Sequence, residues 1–339
     1  MNIALTYNLR STKRLAKNKK VIENIDFDDP KTIKGIKKSL ENLGHKVFLV
    51  EADENAYLKF KRLKNKIDLV FNYSEGLHGR DREAQIPAML EMLQIPYTGG
   101  SPLSYAIGLN KTKTKEILSY HQIATPQWQV FKTGREKLDR RLKFPLIVKP
   151  QSEGSSKGIF IKSLVKNEKE LRKIVQEEIN DYHQPIIAEE FLSGREFTVG
   201  VLGYYPPRVL PIIEVRFDEL PKGIPKFDHF EAKWLYDNPK LKADPLLCPA
   251  PIPAQLRKEI ETMVLKAFEV LEMADWARFD LRLDQRGRPN ILEVNCPAGL
   301  NPDPKENSRF PRAARVAGLS FEQLLQEIIN SAIKRQGIK

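Results

Sequence analysis

The segment from Trp276 to Gly299 constrains the fold more than any other part of the chain, because it predicts a β-hairpin with polar chemistry on one face. Two runs alternate between polar and apolar residues, and the polar turn cluster 284–288 separates them. Alternate side chains of a strand point to the same face of a sheet. The polar face is therefore shared by Arg278, Asp280, Arg282, Glu293 and Asn295.

The register of this hairpin brings two carboxylates together. If the turn is centred on Arg286 and Gly287, counting outward places Asp280 directly opposite Glu293. Like charges that face each other across a sheet destabilise it by roughly 0.2 to 1 kcal/mol, and a bound cation removes that penalty. Two carboxylates and the amide oxygen of Asn295 are the oxygen donors that Mg²⁺ takes, whereas Zn²⁺ prefers His and Cys. The alternative is a solvated polar face, and the selective set of residues favours the metal site.

Length and composition describe a globular protein. A chain of 339 residues can form two or three lobes, and 41% apolar with 29% charged residues is typical of folded domains. No apolar run approaches the roughly 18 residues needed to cross a membrane, and the start of the chain lacks a signal peptide, so we expect no membrane association and a cytoplasmic location. Cys248 and Cys296 show no metal-ligand spacing and are expected to be free thiols.

The net charge of +12 raises the question of nucleic-acid binding. Most lysines are scattered along amphipathic helices, no recognition module is present, and only Lys13 to Lys20 forms a dense basic run. We therefore interpret the charge as a solvated surface that attracts an anionic nucleotide, and nucleic acid as an unlikely partner.

The first hundred residues alternate between strands and helices. Strand patterns at 2–7, 45–53 and 67–73 are separated by amphipathic helices at 30–43 and 54–64. This order predicts an α/β protein with a small parallel sheet covered by helices, whose carboxyl edge is the usual ligand-binding edge. The polar loop after the third strand contains His78, which is a substrate-site candidate or an ordinary surface histidine.

The middle of the chain places charged residues at the ends of predicted elements. A helix predicted from Leu103 to Gln122 contains Lys111, and an apolar strand delivers Lys149 ahead of the Gly/Ser turn 153–158, whose N–H groups can surround phosphate. Glu189 ends a buried strand, where an unpaired carboxylate is costly, so donors are expected to neutralise it. Taken alone, these features also fit solvated charges and simple turns.

The string RFD, followed by a short hairpin, LEVN and a Pro-Ala-Gly turn, resembles the metal-binding signature of ATP-grasp ligases, specifically the D-alanine–D-alanine ligase family. The resemblance extends from about residue 68 to the end and implies a three-lobed ATP-grasp fold. The implied lobes are an N-terminal lobe at 1–101, a central lobe with a Gly/Ser flap at 102–191, and a C-terminal lobe at 192–339. It also implies two Mg²⁺ ions, or Mn²⁺, on Asp280, Glu293 and Asn295.

The same resemblance assigns residues to ATP and to the reacting groups. Lys111, Lys149 and Lys233 match lysines that bind the nucleotide and its phosphates. Glu189 matches the acceptor of the adenine amino group, and Glu196 matches the residue that binds the ribose hydroxyls. The other positions implied at ATP are Ser156, Glu190, Leu192 and Leu292. The implied catalytic groups are Ser155, which borders phosphate and substrate, and Arg278 and Gly299, which stabilise the oxyanion at the reacting carbonyl.

The substrate side matches the family less closely. His78-Gly79 is kept, but Arg-Asp-Arg-Glu follows it in place of the family's Gly-Glu-Asp-Gly run. Trp234 stands where D-alanine-specific members carry Tyr, and Ser308 matches a serine that binds substrate carboxylate, although the loop before it is longer. The family's early Ser-x-Glu, whose glutamate binds the first ammonium group, has no counterpart in TYNLRSTKR.

The implied activity is ADP-forming ligation of a carboxylate to an amine through an acyl phosphate, with ATP and small amino-acid-like substrates. Three hypotheses follow: a D-alanine–D-alanine ligase, a related ligase for other amino acids or peptides, and a nucleotide- or nucleic-acid-binding protein without ligase chemistry. Family members are often dimers through the N-terminal lobe, so a homodimer is possible.

Overall fold

The computed structural model describes residues 1–10, 25–218, 223–232 and 245–338. Among these residues the strands form three sheets, of three, four and six strands. The predicted α/β class is confirmed. The basic run from Lys13 to Lys20, together with Lys233 and Trp234, lies outside the described residues.

The first sheet is parallel and is formed early in the chain, as predicted. Its strands, in the spatial order β2-β1-β3, are β1 (Asn2–Tyr7), β2 (Lys46–Glu51) and β3 (Leu69–Tyr73). The accompanying helices are α1 (Pro30–Asn42), α2 (Ala56–Leu63) and α3 (Gln85–Leu93). Helix α1 begins where the Asp29 carboxylate accepts a hydrogen bond from the Lys31 amide, with Pro30 in the first turn, where its missing N–H costs nothing.

The second sheet is antiparallel and carries the predicted Gly/Ser turn. Its strands, in the order β4-β7-β5-β6, are β4 (Trp128–Phe131), β5 (Leu146–Pro150), β6 (Leu164–Val165) and β7 (Ile186–Glu190). Helix α6 (Glu168–Tyr182) buries Leu171, Ile174 and Val175 against this sheet.

The third sheet contains the predicted hairpin. Its strands are β8 (Glu196–Leu202), β9 (Arg208–Val209), β10 (Ile213–Val215), β11 (Leu246–Leu247), β12 (Trp276–Leu283) and β13 (Pro289–Asn295). Strand β8 pairs with β9, β10 and β12, and β12 pairs with β13. The helices after Pro253 are α7 (Ala254–Val270), α8 (Arg309–Val316) and α9 (Phe321–Gln336).

The helix predicted from Leu103 to Gln122 is two helices, α4 (Pro102–Leu109) and α5 (Lys111–Tyr120). Asn110 breaks the pattern because its backbone is extended and its side chain caps α5 by accepting from the Lys113 amide. Asparagine competes with the helix in this way at N-caps. Lys111 therefore lies in the first turn of a new helix.

The hydrophobic cores cross the proposed lobe limits, which remain a prediction. Tyr105, Leu118 and Ile123 pack with the third sheet through Phe197 and Val199, although they precede the second sheet in the chain. Helix α9, at the end of the chain, packs against the first sheet. The elements that carry Lys111, Glu196 and Asp280 are thus packed on a shared core.

Candidate active site

The hairpin brings Asp280 and Glu293 into direct register, as predicted, but by a different route. Next to the turn the pairing is offset by one residue from the count, since the Asp284 amide donates to the carbonyl of Arg288 and Leu283 pairs with Pro289 rather than with Asn290. A β-bulge then restores the register, because Leu281 pairs with Ile291 whereas Asp280 pairs with Glu293. The extra residue is Leu292.

The bulge also changes which side chains face the cleft. Strict alternation puts Leu292 on the face opposite Glu293, yet both line one cleft. A bulge re-aims a side chain in this way. The strand thus supplies an apolar wall and a carboxylate from consecutive residues.

The first cleft lies between the second and third sheets. Besides Asp280 and Glu293, its lining includes Lys149, Ser156, Glu189, Glu190, Leu192, Glu196 and Leu292. Ile147, Ile159, Phe191 and Phe227 add apolar walls. The cleft thus combines apolar walls with charged side chains, which is typical of a pocket that binds and orients a small molecule.

Glu189 is neutralised by two lysines, which confirms the expectation that donors surround it. Lys149 Nζ lies 2.6 Å and Lys115 Nζ 2.9 Å from its carboxylate oxygens, and all three side chains are almost completely buried. Burial opposes ionisation, but the charges of the two lysines lower the pKa of Glu189 to about 2. Burial lowers the pKa of Lys115 to about 8 in spite of this pairing.

The second cleft adjoins the first and is mainly polar. Its lining includes the predicted residues Ser155, Arg278, Asn295, Gly299 and Ser308. Residues of the N-terminal part of the chain complete it, among them Arg10, Asp26, Asp28, Tyr73 and Glu75. Burial raises the pKa of Asp28 to about 7, although Tyr73 donates a hydrogen bond to it. This cleft presents cationic and hydroxyl groups together with carboxylates.

The predicted metal ligands are an oxygen-donor set held in place by cations. Arg278 binds Asp280 through two hydrogen bonds of 3.2 and 3.0 Å, and Lys111 Nζ lies 3.4 Å from Glu293. Burial opposes ionisation of Asp280, but the charges of Arg278 and Arg309 lower its pKa to about 2. Within the described residues no group of three His, Cys, Asp or Glu side chains forms a metal site, so the fit rests on two carboxylates and the Asn295 amide.

The Gly/Ser turn is fastened by a buried network of ion pairs. Arg82 contacts Asp26 at 2.8 Å and Glu153 at 3.3 Å, while Lys157 contacts Glu153 at 3.0 Å. Lys111 also donates to the backbone carbonyl of Glu153. The network thereby joins this turn, which is the Gly/Ser flap implied by the resemblance, to the N-terminal part of the chain.

The middle of this turn has a constrained backbone. Ser155 and Ser156 have φ of +53° and +58°, in the left-handed region that non-glycine residues rarely occupy. Such conformations persist where the surroundings impose them and are concentrated at functional sites. The two serines line different clefts, Ser155 the second and Ser156 the first.

A family model described as "D-ala D-ala ligase C-terminus" matches residues 109–330, which is more than half of the chain. The chain belongs to the D-alanine–D-alanine ligase family. It is therefore an ATP-dependent, ADP-forming carbon–nitrogen ligase with the ATP-grasp fold, as the sequence resemblance implied.

Relatives and solved structures agree with this membership. The D-alanine–D-alanine ligase of Aquifex aeolicus is 33% identical over 88% of this chain and 94% of its own length. An uncharacterized protein, y4sG of Sinorhizobium fredii, is 33% identical over 88% of this chain and 86% of its own. The crystal structure of the Bacillus anthracis D-alanine–D-alanine ligase complexed with ATP has a TM-score of 0.74, 23% identity and 99% coverage of both chains, and shows the shared fold.

The structure places the family's expected ATP residues together and separates one substrate candidate from them. The ATP positions named above line the first cleft, except Lys111, which contacts Glu293 from the side, and Lys233, which is outside the described residues. Ser308 and Gly299 line the second cleft. His78 is exposed on the loop after β3 and is absent from the lining of both clefts. The individual roles remain predictions.

Sequence reasoning missed several residues of the site. Lys115 lies four residues after Lys111 on α5, a spacing that puts both on one helix face and could have identified it. Asp26 and Asp28 lie after TYNLRSTKR, the segment that corresponds to the family's early Ser-x-Glu, so that motif does not indicate them. Arg82 and Arg309 are distant in sequence from the carboxylates they contact, and no local sequence pattern indicates either residue.

Proposed function

We propose that this ligase activates a carboxylate by phosphorylation and then joins it to an amine. The carboxylate oxygen attacks the γ-phosphorus, the bond from that phosphorus to ADP breaks, and an acyl phosphate forms. The amine nitrogen then attacks the carbonyl carbon, phosphate leaves with the electrons of the carbon–oxygen bond, and the nitrogen loses a proton. The observation that carries the proposal is that the two clefts meet at Asp280 and Arg278, which contact each other at 3.0 Å.

In this proposal the first cleft holds ATP. Glu189, kept ionised by Lys115 and Lys149, accepts from the adenine amino group, and Leu192, Leu292 and Phe191 contact the ring. Glu196, held by Arg282 at 3.0 Å, binds the ribose hydroxyls. Lys111 and Lys149 add positive charge, as expected where catalysis of phosphoryl transfer depends on positioning and neutralisation.

The oxygen donors fit Mg²⁺, which is part of the proposal. Asp280, Glu293 and Asn295 would hold it, with Mn²⁺ as a substitute, and the ion would neutralise charge on the transferred phosphate. The chain's own cations meanwhile prepare the reacting centre. Arg278 is aimed at the second cleft while paired with Asp280, so it can stabilise the oxyanion of the tetrahedral intermediate.

The second cleft fits small molecules that carry both an ammonium and a carboxylate group. Ser308, Arg278 and Ser155 can bind a carboxylate. Burial raises the pKa of Asp28 and of Glu75, and an ammonium group bound beside them would favour their ionised forms. D-Alanine is the first candidate, because D-alanine–D-alanine ligases are among the relatives. Other amino acids or short peptides are the second, because the acids of this cleft follow a segment that lacks the family's early Ser-x-Glu.

A screen of pooled amino acids with ATP and Mg²⁺ tests this function. ADP release and product mass are read together, and an alanine dipeptide formed only from the D isomer would select the first candidate. Glu293→Gln should fold normally and lose about a hundredfold or more of the substrate-stimulated ADP release. Turnover near the wild-type rate in that variant, or salt-sensitive DNA binding without substrate-dependent ATP turnover, would contradict the proposal.

Location and assembly complete the proposal. Among the described residues no helix is long and apolar enough to cross a bilayer. Use of ATP supports a cytoplasmic location. Leu49, Leu58 and Met92 expose apolar surface on the first-sheet lobe, which supports a homodimer through that lobe. Sedimentation of the full chain at several concentrations distinguishes monomer from dimer.

A further inference from the structure

The boundary between the two clefts is marked by three pairs of residues, each with one member in each cleft. Ser155 and Ser156 are neighbours in the chain. Arg278, in the second cleft, contacts Asp280, in the first, at 3.0 Å. Arg309, in the second cleft, contacts Asp228, in the first, at 2.7 Å. The third pair has no role in the function proposed above.

Arg309 is a buried cation at this boundary. It is the first residue of α8, directly after Ser308, and its side chain is only 11% exposed. Its charge acts on Asp228, Asp280 and Glu196, which all line the first cleft. A buried guanidinium that lines the second cleft and pairs with a carboxylate of the first can contact an anionic group that lies between the two clefts.

We propose that Arg309 binds the phosphoryl group while it passes from ATP to the substrate carboxylate. This inference rests on the proposed function. Transfer requires the attacking and leaving oxygens to lie roughly in line, so the moving group must occupy the boundary where the clefts meet. A guanidinium carries five N–H donors in a planar fork, so it can hold Asp228 with one edge and phosphoryl oxygens with another.

The competing explanation is that the pair only ties the loop 223–232 to α8. Ser156 Oγ lies 3.4 Å from the Asp228 carbonyl oxygen, so this loop also contacts the flap. If the Arg309–Asp228 ion pair were only structural, its loss would weaken the binding of every nucleotide by the same factor. Replacing Arg309 or replacing Asp228 would then have the same effect. Binding by Arg309 would instead discriminate between nucleotides with and without the transferred phosphate.

Calorimetric titration of the full chain with the Mg²⁺ complexes of ADP and of β,γ-imido-ATP separates these explanations without an amino-acid substrate. Arg309→Met should weaken binding of imido-ATP about ten- to a hundredfold more than binding of ADP, the size of a charge-assisted hydrogen bond. Arg309→Lys, which keeps the positive charge but not the planar fork of N–H donors, should lose less of the affinity for imido-ATP. The control Arg315→Met, on α8 and outside the lining of both clefts, should leave the ratio of the two affinities unchanged. Asp228→Asn, which removes a carboxylate charge from the first cleft and releases the guanidinium, should shift the ratio in the opposite direction, toward imido-ATP.

Circular dichroism and thermal midpoints establish that each variant is folded. An equal loss for both nucleotides in Arg309→Met, or a ratio in Asp228→Asn that shifts in the same direction as in Arg309→Met, would overturn the role of Arg309. If the wild-type chain binds neither nucleotide, the proposed function itself fails, which is a separate outcome.

Discussion

Glu178 is a carboxyl group that folding removes from water at a cost. It is 1% exposed on α6, close to the Gly158 end of the flap, and its Oε2 atom has no hydrogen-bond partner among the described residues. Burial raises its pKa from 4.5 to about 8. The folded state therefore binds this proton more tightly than the unfolded state does, so the contribution of Glu178 to stability declines as pH rises from about 4.5 to about 8.

Glu178→Gln should consequently stabilise the protein at pH 8 and much less at pH 4.5. The difference in free energy of unfolding between variant and wild type should grow by about 1.4 kcal/mol per pH unit across that window and then level off. Urea unfolding at a series of pH values measures it. Glu168→Gln, at an exposed carboxylate paired with Arg172 on the same helix, is the matched control for the loss of a carboxylate from α6. A constant difference across the window would contradict the assignment.

Several residues of the candidate site could be predicted from the sequence. The others could not, for physical reasons. Asp280 and Glu293 stand on one face of a strongly patterned hairpin, so their spacing alone suggested a shared site, whereas the family resemblance was needed to add Lys149 and Glu189 to it. Asp228 and Arg309 belong to loops and short segments whose position depends on tertiary packing. Nothing in the neighbouring sequence indicates that they meet.

The flap, residues 153–158, is joined to the N-terminal part of the chain by long-range ion pairs. Arg82 is 6% exposed and joins Asp26 to Glu153, so its loss would leave buried carboxylates with fewer cations. Removing one partner of a buried pair costs about 3 to 5 kcal/mol, and Lys157, which also contacts both acids, should keep the effect near the lower end.

Arg82→Gln should therefore lower the free energy of unfolding by about 3 kcal/mol and accelerate amide exchange in residues 152–159 more than elsewhere. Hydrogen exchange with mass spectrometry reads both effects. Arg80→Gln, in the exposed part of the same loop, serves as the control and should leave the flap protected. Uniform acceleration across the chain would mean that Arg82 has no special relation to the flap.

Element prediction succeeded where the periodic pattern was long and failed where one residue interrupted it. The pairing of Asp280 with Glu293 was correct although the turn was misplaced by one residue, because the bulge at Leu292 offset the error. The division of α4 from α5 at Asn110 was missed for a related reason. Hydrophobic spacing continues through Asn110, and only its capping hydrogen bond reveals the break.

The first and third sheets are held together by a hydrophobic core that joins distant parts of the chain. Ile3, Leu5 and Phe71 of the first sheet share one cluster with Leu325 and Ile328 of α9. Asp275, which precedes β12, adds polar contacts by accepting from the Gly99 amide at 2.8 Å and from Arg335 at 2.9 Å. The N-terminal sheet therefore depends on the last helix for its stability.

Ile328→Ala should lower the free energy of unfolding by about 2 to 5 kcal/mol, as for other large-to-small substitutions at fully buried sites. Amide exchange should accelerate in β1 and β3 as well as in α9. Hydrogen exchange and urea unfolding test this, with the exposed neighbour Asn330→Ala as control. Exchange that changes only in α9 would show that the first sheet folds without it.

Trp276 connects the first sheet to the β12-β13 hairpin within this shared core. Its ring is fully buried, stacks on Phe71 of the first sheet at a centroid distance of 5.7 Å, and donates from Nε1 to the carbonyl of Ala298 at 3.1 Å. It also begins the strand that carries Asp280. With Trp128 and Trp234, the other two tryptophans, replaced by Phe, its fluorescence becomes an intrinsic optical signal for separation of the N-terminal sheet from the β12-β13 hairpin.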